Sequence, residues 1–288
     1  MVPFGVNWYR AGPPLPAFAQ GVHMLVREVL DDLIAEQAAL DEVMTSLDDA
    51  AWGRPTPSPG WSVTDQIGHL TYFDATAALA IADPEGFRAH RSELVVAMAD
   101  PATVEVETLG RYRAMTPAEL LAAWRDNRRA LADAAADLAE DARVEWYGPS
   151  MGAKSFLTAR LMEVWAHGQD IVDTVGATRA ASDRIRHIVQ LGVITRGWSY
   201  RNRGLEPPAG EVSVTLTAPS GATWTWEHEG AVGSVTGSAE DFCLVVTQRR
   251  HVDDTGLAVE GAAARDWMIR AQAFAGGATD GPSAGTWA

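Results

Sequence analysis

The spacing of apolar residues divides the chain into a helical part and a part that contains strands. Up to about residue 200, apolar positions recur every three or four residues, which is the period of an amphipathic helix. They predict helices over about 17–49, 63–81 and 117–139, a fourth that ends at Gly176, and a further one near 182–199. Stretches rich in proline and glycine separate these segments and mark the turns. The first four helices are long enough to form a bundle.

Beyond residue 200 the apolar and polar residues alternate with the two-residue period of a half-buried strand. Residues 212–217 and 223–227 predict a hairpin, and a third strand follows near 231–236. Helices are expected up to Val246 and over about 261–274. The predicted fold class is therefore α+β, with a four-helix bundle followed by a small α+β C-terminal domain.

Changes of composition suggest where these parts begin and end. We expect a loose N-terminal arm over 1–16, a helical bundle over 17–200 and the small α+β domain over 201–276. The remaining segment, 277–288, is rich in Gly, Ala, Ser and Thr, which is typical of a disordered tail.

The charge balance excludes one class of partner. Only 23 Lys and Arg face 38 Asp and Glu, giving a formal net charge of −15. Nucleic-acid binding needs clustered cations that neutralise phosphates, so a nucleic-acid partner is not expected.

Cysteine content and hydropathy favour a cytoplasmic protein. The single cysteine, Cys243, excludes an intramolecular disulfide and a cysteine-rich metal site. No leader peptide opens the chain and no uncharged run approaches the length of a membrane span, so no membrane association is expected.

The fourth predicted helix places a carboxylate and an imidazole on one face. Glu163 and His167 are four residues apart and therefore project from successive turns. Such a pair is often only a solvated ion pair on a surface helix. This helix, however, is apolar nearly all round, and a carboxylate packed on such a helix must be paired or coordinated. The apolar neighbours are Phe156, Leu157, Leu161, Met162, Val164, Trp165, Ile171 and Val172.

A third candidate ligand lies on the second predicted helix. His69 falls inside the second turn after a predicted N-cap at Ser62, with Asp65 completing a capping pair. By itself, a histidine on an apolar helix face is more often a hydrogen-bonded core residue than a ligand. If the three side chains converge, two nitrogens and one oxygen suit Zn²⁺ or a similar divalent ion. Three protein ligands would leave a position open for water or substrate, as in catalytic sites.

Together the two motifs resemble a known family. Gly-Trp-Ser-Val-Thr-Asp-Gln-Ile-Gly-His over 60–69 and Arg-Leu-Met-Glu-Val-Trp-Ala-His-Gly-Gln-Asp over 160–170 are similar to the mycothiol-dependent maleylpyruvate isomerase group of the DinB superfamily. The resemblance implies a metal-binding four-helix bundle in which His69, Glu163 and His167 hold a divalent metal, usually zinc. It also implies mycothiol or another low-molecular-weight thiol as cofactor, and a small electrophilic substrate.

In relatives an arginine that follows a glycine, after the helix next to the sheet, faces the metal. Here the corresponding residues are Gln248, Arg249 and Arg250, so glutamine stands where glycine is usual. The resemblance makes Arg249, or else Arg250, a candidate catalytic residue, because a guanidinium binds a substrate carboxylate in a bidentate manner. Alternatively, two arginines at a helix end simply compensate the helix dipole at the surface.

Asp170 and Arg160 complete the set of candidates around the metal ligands. Both fall on the same helical stripe as Glu163 and His167. Asp170 could orient a metal ligand from outside the coordination sphere, or it could pair with Arg160.

Two functions remain open from the sequence. The first is a metal-dependent, thiol-using isomerase or S-transferase, in which the metal lowers the pKa of the thiol. The second is a non-catalytic metal-binding protein in which the metal is structural or sensory.

Overall fold

The computed structural model describes residues 25–97 and 101–287, which fall into two compact units, 25–179 and 180–287. The predicted arm over 1–16 and the predicted start of the first helix lie outside the described residues.

The first unit is helical, with a short two-stranded ladder before its last helix. Its α-helices are α1 (Val26–Thr45), α2 (Asp49–Trp52), α3 (Val63–Ala82), α4 (Pro84–Ala97), α5 (Pro101–Glu105), α6 (Arg111–Arg113), α7 (Pro117–Ala135) and α8 (Ala153–Val175), and the strands are β1 (Arg143–Val144) and β2 (Met151–Gly152). A π-helix, Val106–Gly110, connects α5 to α6. Helices α1, α3, α7 and α8 pack against one another around an apolar core, which confirms the predicted bundle.

Local capping explains where the bundle helices begin and end. Ser62 caps α3, and its hydroxyl accepts from the backbone N–H of Asp65. Thr116 caps α7 in the same way, with Pro117 at the first helical position. At the other end of α8, Gly176 adopts a left-handed conformation with φ 69°, which glycine tolerates best. These predicted boundaries are confirmed.

The first helix ends earlier than the periodicity predicted. It stops at Thr45, because the Ser46 hydroxyl donates to the carbonyl of Val43 and Asp48 then caps α2. Asp48 accepts from the N–H of Ala51 at 2.9 Å. The second helix, α2, begins within the same repeat of apolar residues. The repeat alone therefore did not show that one helix ends and another begins.

The second unit contains a four-stranded mixed sheet and short helices. Its elements are α9 (Arg186–Ile194), α10 (Arg196–Arg201), β3 (Val212–Thr217), β4 (Thr223–Trp226), β5 (Gly233–Ser238), α11 (Ala239–Val246), β6 (Ala258–Glu260) and α12 (Ala262–Arg270). The strand order is β4–β3–β5–β6, in which β3 and β5 are parallel and the other pairs are antiparallel. The predicted hairpin is β3–β4. The sequence did not indicate β6, which is too short to show a period.

The division between the units differs from the predicted boundary at residue 200. Helices α9 and α10 belong to the second unit, so the chain divides at Arg179 instead. The apolar face of α9 packs on α11, which the helical period of α9 alone could not show.

The end of the chain also differs from the expected disordered tail. The backbone carbonyl of Thr279 accepts from Gln248 Nε2 at 2.7 Å, and its hydroxyl donates to Gln248 Oε1 at 2.6 Å. Asp254 accepts from the backbone N–H groups of Gly285 and Trp287. Apart from the Thr279 hydroxyl, these contacts use backbone groups of the tail, so its small-residue composition does not reveal them.

Within the described residues, none of the helices is both long enough and apolar enough to span a bilayer.

Candidate metal centre

Helices α3 and α8 bring the three predicted ligands together. One ligand atom from each of His69, Glu163 and His167 lies within 4.8 Å of the other two. Glu163 Oε2 is 3.0 Å from His69 Nε2 and 3.2 Å from His167 Nε2. The i, i+4 spacing places Glu163 and His167 on one face of α8, and α3 packs across that face.

The cluster is mostly enclosed but not sealed. The two imidazole side chains are each 11% exposed, whereas that of Glu163 keeps 25% of its surface accessible. The ring of Trp61 lies 5.2 Å from that of His69 and stacks 5.8 Å from that of His167. Phe73 approaches His69 to 4.6 Å between ring centroids. Aromatic rings therefore shield the nitrogen atoms, and the carboxylate lies nearest to solvent.

The protonation states match those of a ligand set. Burial, together with the neighbouring His167, lowers the pKa of His69 to about 4. Burial alone would raise the pKa of Glu163, but hydrogen bonds from His167 and His69 outweigh it and hold the pKa well below its usual range. Near neutral pH, His69 is thus a neutral imidazole and Glu163 a carboxylate, the forms that bind metals.

The donor set fits a divalent cation. Two imidazole nitrogens converge on one carboxylate oxygen, and that oxygen has no proton to donate. Each close nitrogen–oxygen contact therefore needs a proton or a cation between the two atoms. Two nitrogens and one oxygen are ligands that Zn²⁺ and similar borderline ions accept, with a further position left open.

A buried amide that the motifs did not single out contacts one of the three predicted ligands. Gln66 Oε1 lies within hydrogen-bond distance of His167 Nδ1, and Gln66 Nε2 donates to Asp170 Oδ2 at 3.3 Å. Asp170 also accepts from the hydroxyl of Ser58 at 2.9 Å. The signal in the sequence was a polar residue one turn before His69 on a face that is otherwise apolar.

Asp170 and Arg160 have separate partners. Asp170 contacts Gln66, which in turn contacts His167. Arg160 instead forms a buried ion pair with Asp74, with 3.0 Å between Nη2 and Oδ1. Asp74 also accepts from Gln37 and Trp124, so Arg160 belongs to a polar network in the bundle core. Burial raises the pKa of Asp74 despite the guanidinium beside it.

The residue after His167 is a glycine, and an arginine side chain occupies the space beside it. A Cβ atom at Gly168 would lie 2.4 Å from Nη1 of Arg179. That guanidinium pairs with Glu36 of α1 at 3.1 Å and donates to the carbonyl of Trp165 at 3.0 Å. Gly168 therefore leaves room for Arg179 to lie across α8 beside His167 and to connect α8 to α1 through Glu36.

Arg249 and Arg250 follow α11 in the second unit. Gln248 has φ 59°, a left-handed conformation that favours glycine, which accounts for the glycine expected at this position. Arg249 Nη1 donates to the carbonyl of Thr247 at 2.7 Å, and the guanidinium of Arg250 lies 3.8 Å from the ring centroid of Trp287. Their role toward a metal-bound substrate stays a prediction.

The fold and the cluster together define a class: a helical bundle that carries a His/Glu/His cluster, followed by a small unit with a mixed sheet. Comparison with known proteins agrees with this description. Residues 33–172 match the family model described as the mycothiol maleylpyruvate isomerase N-terminal domain. Two uncharacterized proteins of Mycobacterium tuberculosis, from two strains, are each 43% identical over 246 residues, which is 85% of this chain and 94% of the relative.

Solved structures extend the likeness to most of the chain. The crystal structure of the mycothiol-dependent maleylpyruvate isomerase matches with a TM-score of 0.56 at 18% identity, covering 82% of this chain and 93% of the other. A histidine-to-alanine mutant of that isomerase matches with a TM-score of 0.57 at 17% identity and the same coverage. The chain belongs to the mycothiol-dependent maleylpyruvate isomerase-like family, as its motifs indicated.

Proposed function

We propose that the protein binds a divalent metal, zinc by preference, through His69, Glu163 and His167, and acts as a thiol-dependent isomerase or S-transferase on a small electrophilic substrate. The observation that carries this proposal is the convergence of the three ligand atoms within 4.8 Å on two packed helices. Membership of the family makes mycothiol the first thiol to test.

A bound divalent cation would lower the pKa of a thiol held beside it, so that a nucleophile exists at neutral pH. The side chains around the proposed centre would help to bind the cation and would control access to it. Glu163 contributes the negative charge of the ligand set, and its partial exposure leaves a route by which a small molecule could reach the centre. Trp61 and Phe73 cover the imidazoles and limit the access of water.

The arginines after α11 are the proposed substrate-binding groups. A guanidinium can form two parallel hydrogen bonds with a carboxylate, which would suit an acidic substrate. Arg249 and Arg250 directly follow Gln248, whose backbone adopts the left-handed conformation. This assignment rests on the family resemblance and on their place in the second unit.

One observation favours a second candidate function. The ligands come from two different bundle helices, so a bound metal would also fasten α3 to α8. A protein that uses its metal only in this way would be a non-catalytic metal-binding protein.

Calorimetry separates the two functions. The zinc-loaded protein should bind mycothiol with a stoichiometry of about one per chain, because three protein ligands leave one position open. His167→Ala should lose this heat, whereas His228→Ala, a change at an exposed turn of the second unit, should retain it. Zinc-loaded wild-type protein that gives no heat with mycothiol contradicts the thiol-dependent function and leaves the metal centre intact.

The same variants also test whether the metal stabilises the fold. If the metal is catalytic, metal-free His167→Ala should keep the helical circular dichroism and nearly the melting temperature of the metal-free wild-type protein. A large loss of both in the wild-type protein on chelation would instead favour the non-catalytic function.

A further inference from the structure

Gln66 is completely buried between the two helices that carry the ligands. It lies on α3 one turn before His69, and its side chain is 0% exposed. Its amide oxygen faces Nδ1 of His167 on α8. Its amide nitrogen lies 3.3 Å from Asp170 Oδ2 and 2.8 Å from Thr56 Oγ1. A buried amide in this position must have all its polar atoms matched.

Two neighbours fix which way this amide points. A carboxylate oxygen accepts hydrogen bonds, so Asp170 requires the nitrogen of Gln66 on its side. The hydroxyl of Thr56 donates its own proton to the carbonyl of Trp61 at 3.0 Å and therefore also accepts from Gln66. A rotated amide would place its oxygen against two acceptors.

The orientation of the amide determines where His167 carries its proton. Because Gln66 Oε1 can only accept, His167 Nδ1 must donate. The other nitrogen, Nε2, is the atom that faces Glu163 at 3.2 Å. A neutral imidazole with its proton on Nδ1 presents a lone pair at Nε2, which is what a metal ligand needs.

We infer that Gln66 is a positioning residue that holds His167 in the Nδ1–H tautomer and in a fixed ring orientation, so that Nε2 is available to a divalent cation. Asp170 and Thr56 act one step further out by orienting Gln66, and Ser58 in turn donates to Asp170. This inference rests on the proposed metal centre and extends it to residues that do not touch the metal. Removing partners of this kind typically weakens metal affinity by about 10- to 100-fold.

The test compares two buried glutamines. Gln66→Met keeps the length of the side chain and removes all three hydrogen bonds of its amide, to His167, Asp170 and Thr56. Gln37→Met is the matched control, because Gln37 is 2% exposed on α1 and donates to the buried carboxylate of Asp74 at 3.1 Å. Zinc dissociation constants are measured by competition with a chromophoric chelator. Gln66→Met should bind zinc about 10- to 100-fold more weakly than the wild-type protein, and Gln37→Met within about threefold of it.

A second readout does not depend on the stability of the variants. Nitrogen-15 NMR of histidine-labelled, zinc-loaded wild-type protein should show the His167 proton on Nδ1, in slow exchange with water. A proton on Nε2 overturns the inference even if Gln66→Met does not fold.

The outcomes distinguish the inference from the function on which it rests. Equal zinc affinities of Gln66→Met and the wild-type protein overturn the role of Gln66 and leave the metal centre standing. A wild-type protein that binds no zinc overturns the metal centre itself.

Discussion

A single carboxylate oxygen, Glu163 Oε2, is shared by two imidazole nitrogens, and this arrangement distinguishes the candidate centre from an ordinary ion pair. A surface glutamate four residues before a histidine would need only one partner. Here the second partner, His69, comes from another helix, and both rings are largely buried. At the scale of residues, the chemistry therefore depends on which proton each ring carries and on what lies between nitrogen and oxygen.

Asp41 shows what a carboxylate does when its partners are arginines. It accepts from Arg125 at 3.0 and 3.1 Å and from Arg128, both on α7. Although burial raises the pKa of Asp41, these hydrogen bonds and charges lower it overall. The carboxylate thus stabilises the folded state above the pKa of about 3.9 of an unfolded aspartate, and this contribution is lost as the pH falls through the lower folded value.

Asp41→Asn should lower the free energy of unfolding at pH 7 by about 1 kcal/mol, since solvent partly screens the arginines. Urea denaturation measures this difference. The difference should hold from pH 7 to about pH 4 and shrink below it, because the wild-type carboxylate is then also neutral. A difference that grows on acidification would contradict this account of Asp41.

Among the secondary-structure elements, α8 is held in position by the side chain of Arg179, which lies across it. Arg179 passes over Gly168, pairs with Glu36 of α1 and lies over the ring of Trp165 at 5.4 Å. The guanidinium needs the space that a side chain at position 168 would occupy. The glycine next to His167 therefore leaves room for this packing, although glycine inside a helix costs about 1 kcal/mol in propensity.

Gly168→Ala should destabilise the protein by about 1–3 kcal/mol, because the clash at 2.4 Å outweighs the gain in helix propensity. Gly152→Ala is the control, since a Cβ atom at Gly152 meets nothing within 4 Å. Thermal unfolding of the two variants measures the contrast. A Gly168→Ala protein as stable as Gly152→Ala would show that Arg179 can leave its position without cost.

The features that sequence predicted best are those fixed by neighbours along the chain. The capping residues Ser62 and Thr116 and the stop at Gly176 act within a few residues, so the starts of α3 and α7 and the end of α8 could be predicted directly. The convergence of the three predicted ligands could be predicted only from the two motifs together, because neither motif alone is specific.

Contacts between distant residues could not be predicted in this way. The hydrogen bond from His167 to Gln66 and the pairing of Arg160 with Asp74 each join α8 to α3. Which buried polar residues come into contact depends on how each helix is rotated about its own axis relative to its neighbour. Several different pairings of polar residues are compatible with the same helical periodicity. The parallel pairing of β3 with β5 depends on a crossover that strand alternation does not record.

At the level of the whole molecule, the fold is that of the family, and the proposed chemistry lies at one candidate metal centre in the first unit. The acidic balance of the chain, with a net charge of −15, favours cation binding in general, so a specific centre must be distinguished from diffuse attraction. Glu163→Gln and His167→Ala change the ligand set while altering the net charge by at most one unit.

The most direct measurement is the zinc content of protein loaded with excess zinc and then passed through a desalting column, determined by elemental analysis. We expect about one zinc per chain in the wild-type protein and in His228→Ala, and a small fraction of that in His69→Ala, Glu163→Gln and His167→Ala. A wild-type protein that retains no zinc, or three ligand variants that retain as much as the wild-type protein, would contradict the proposed metal centre.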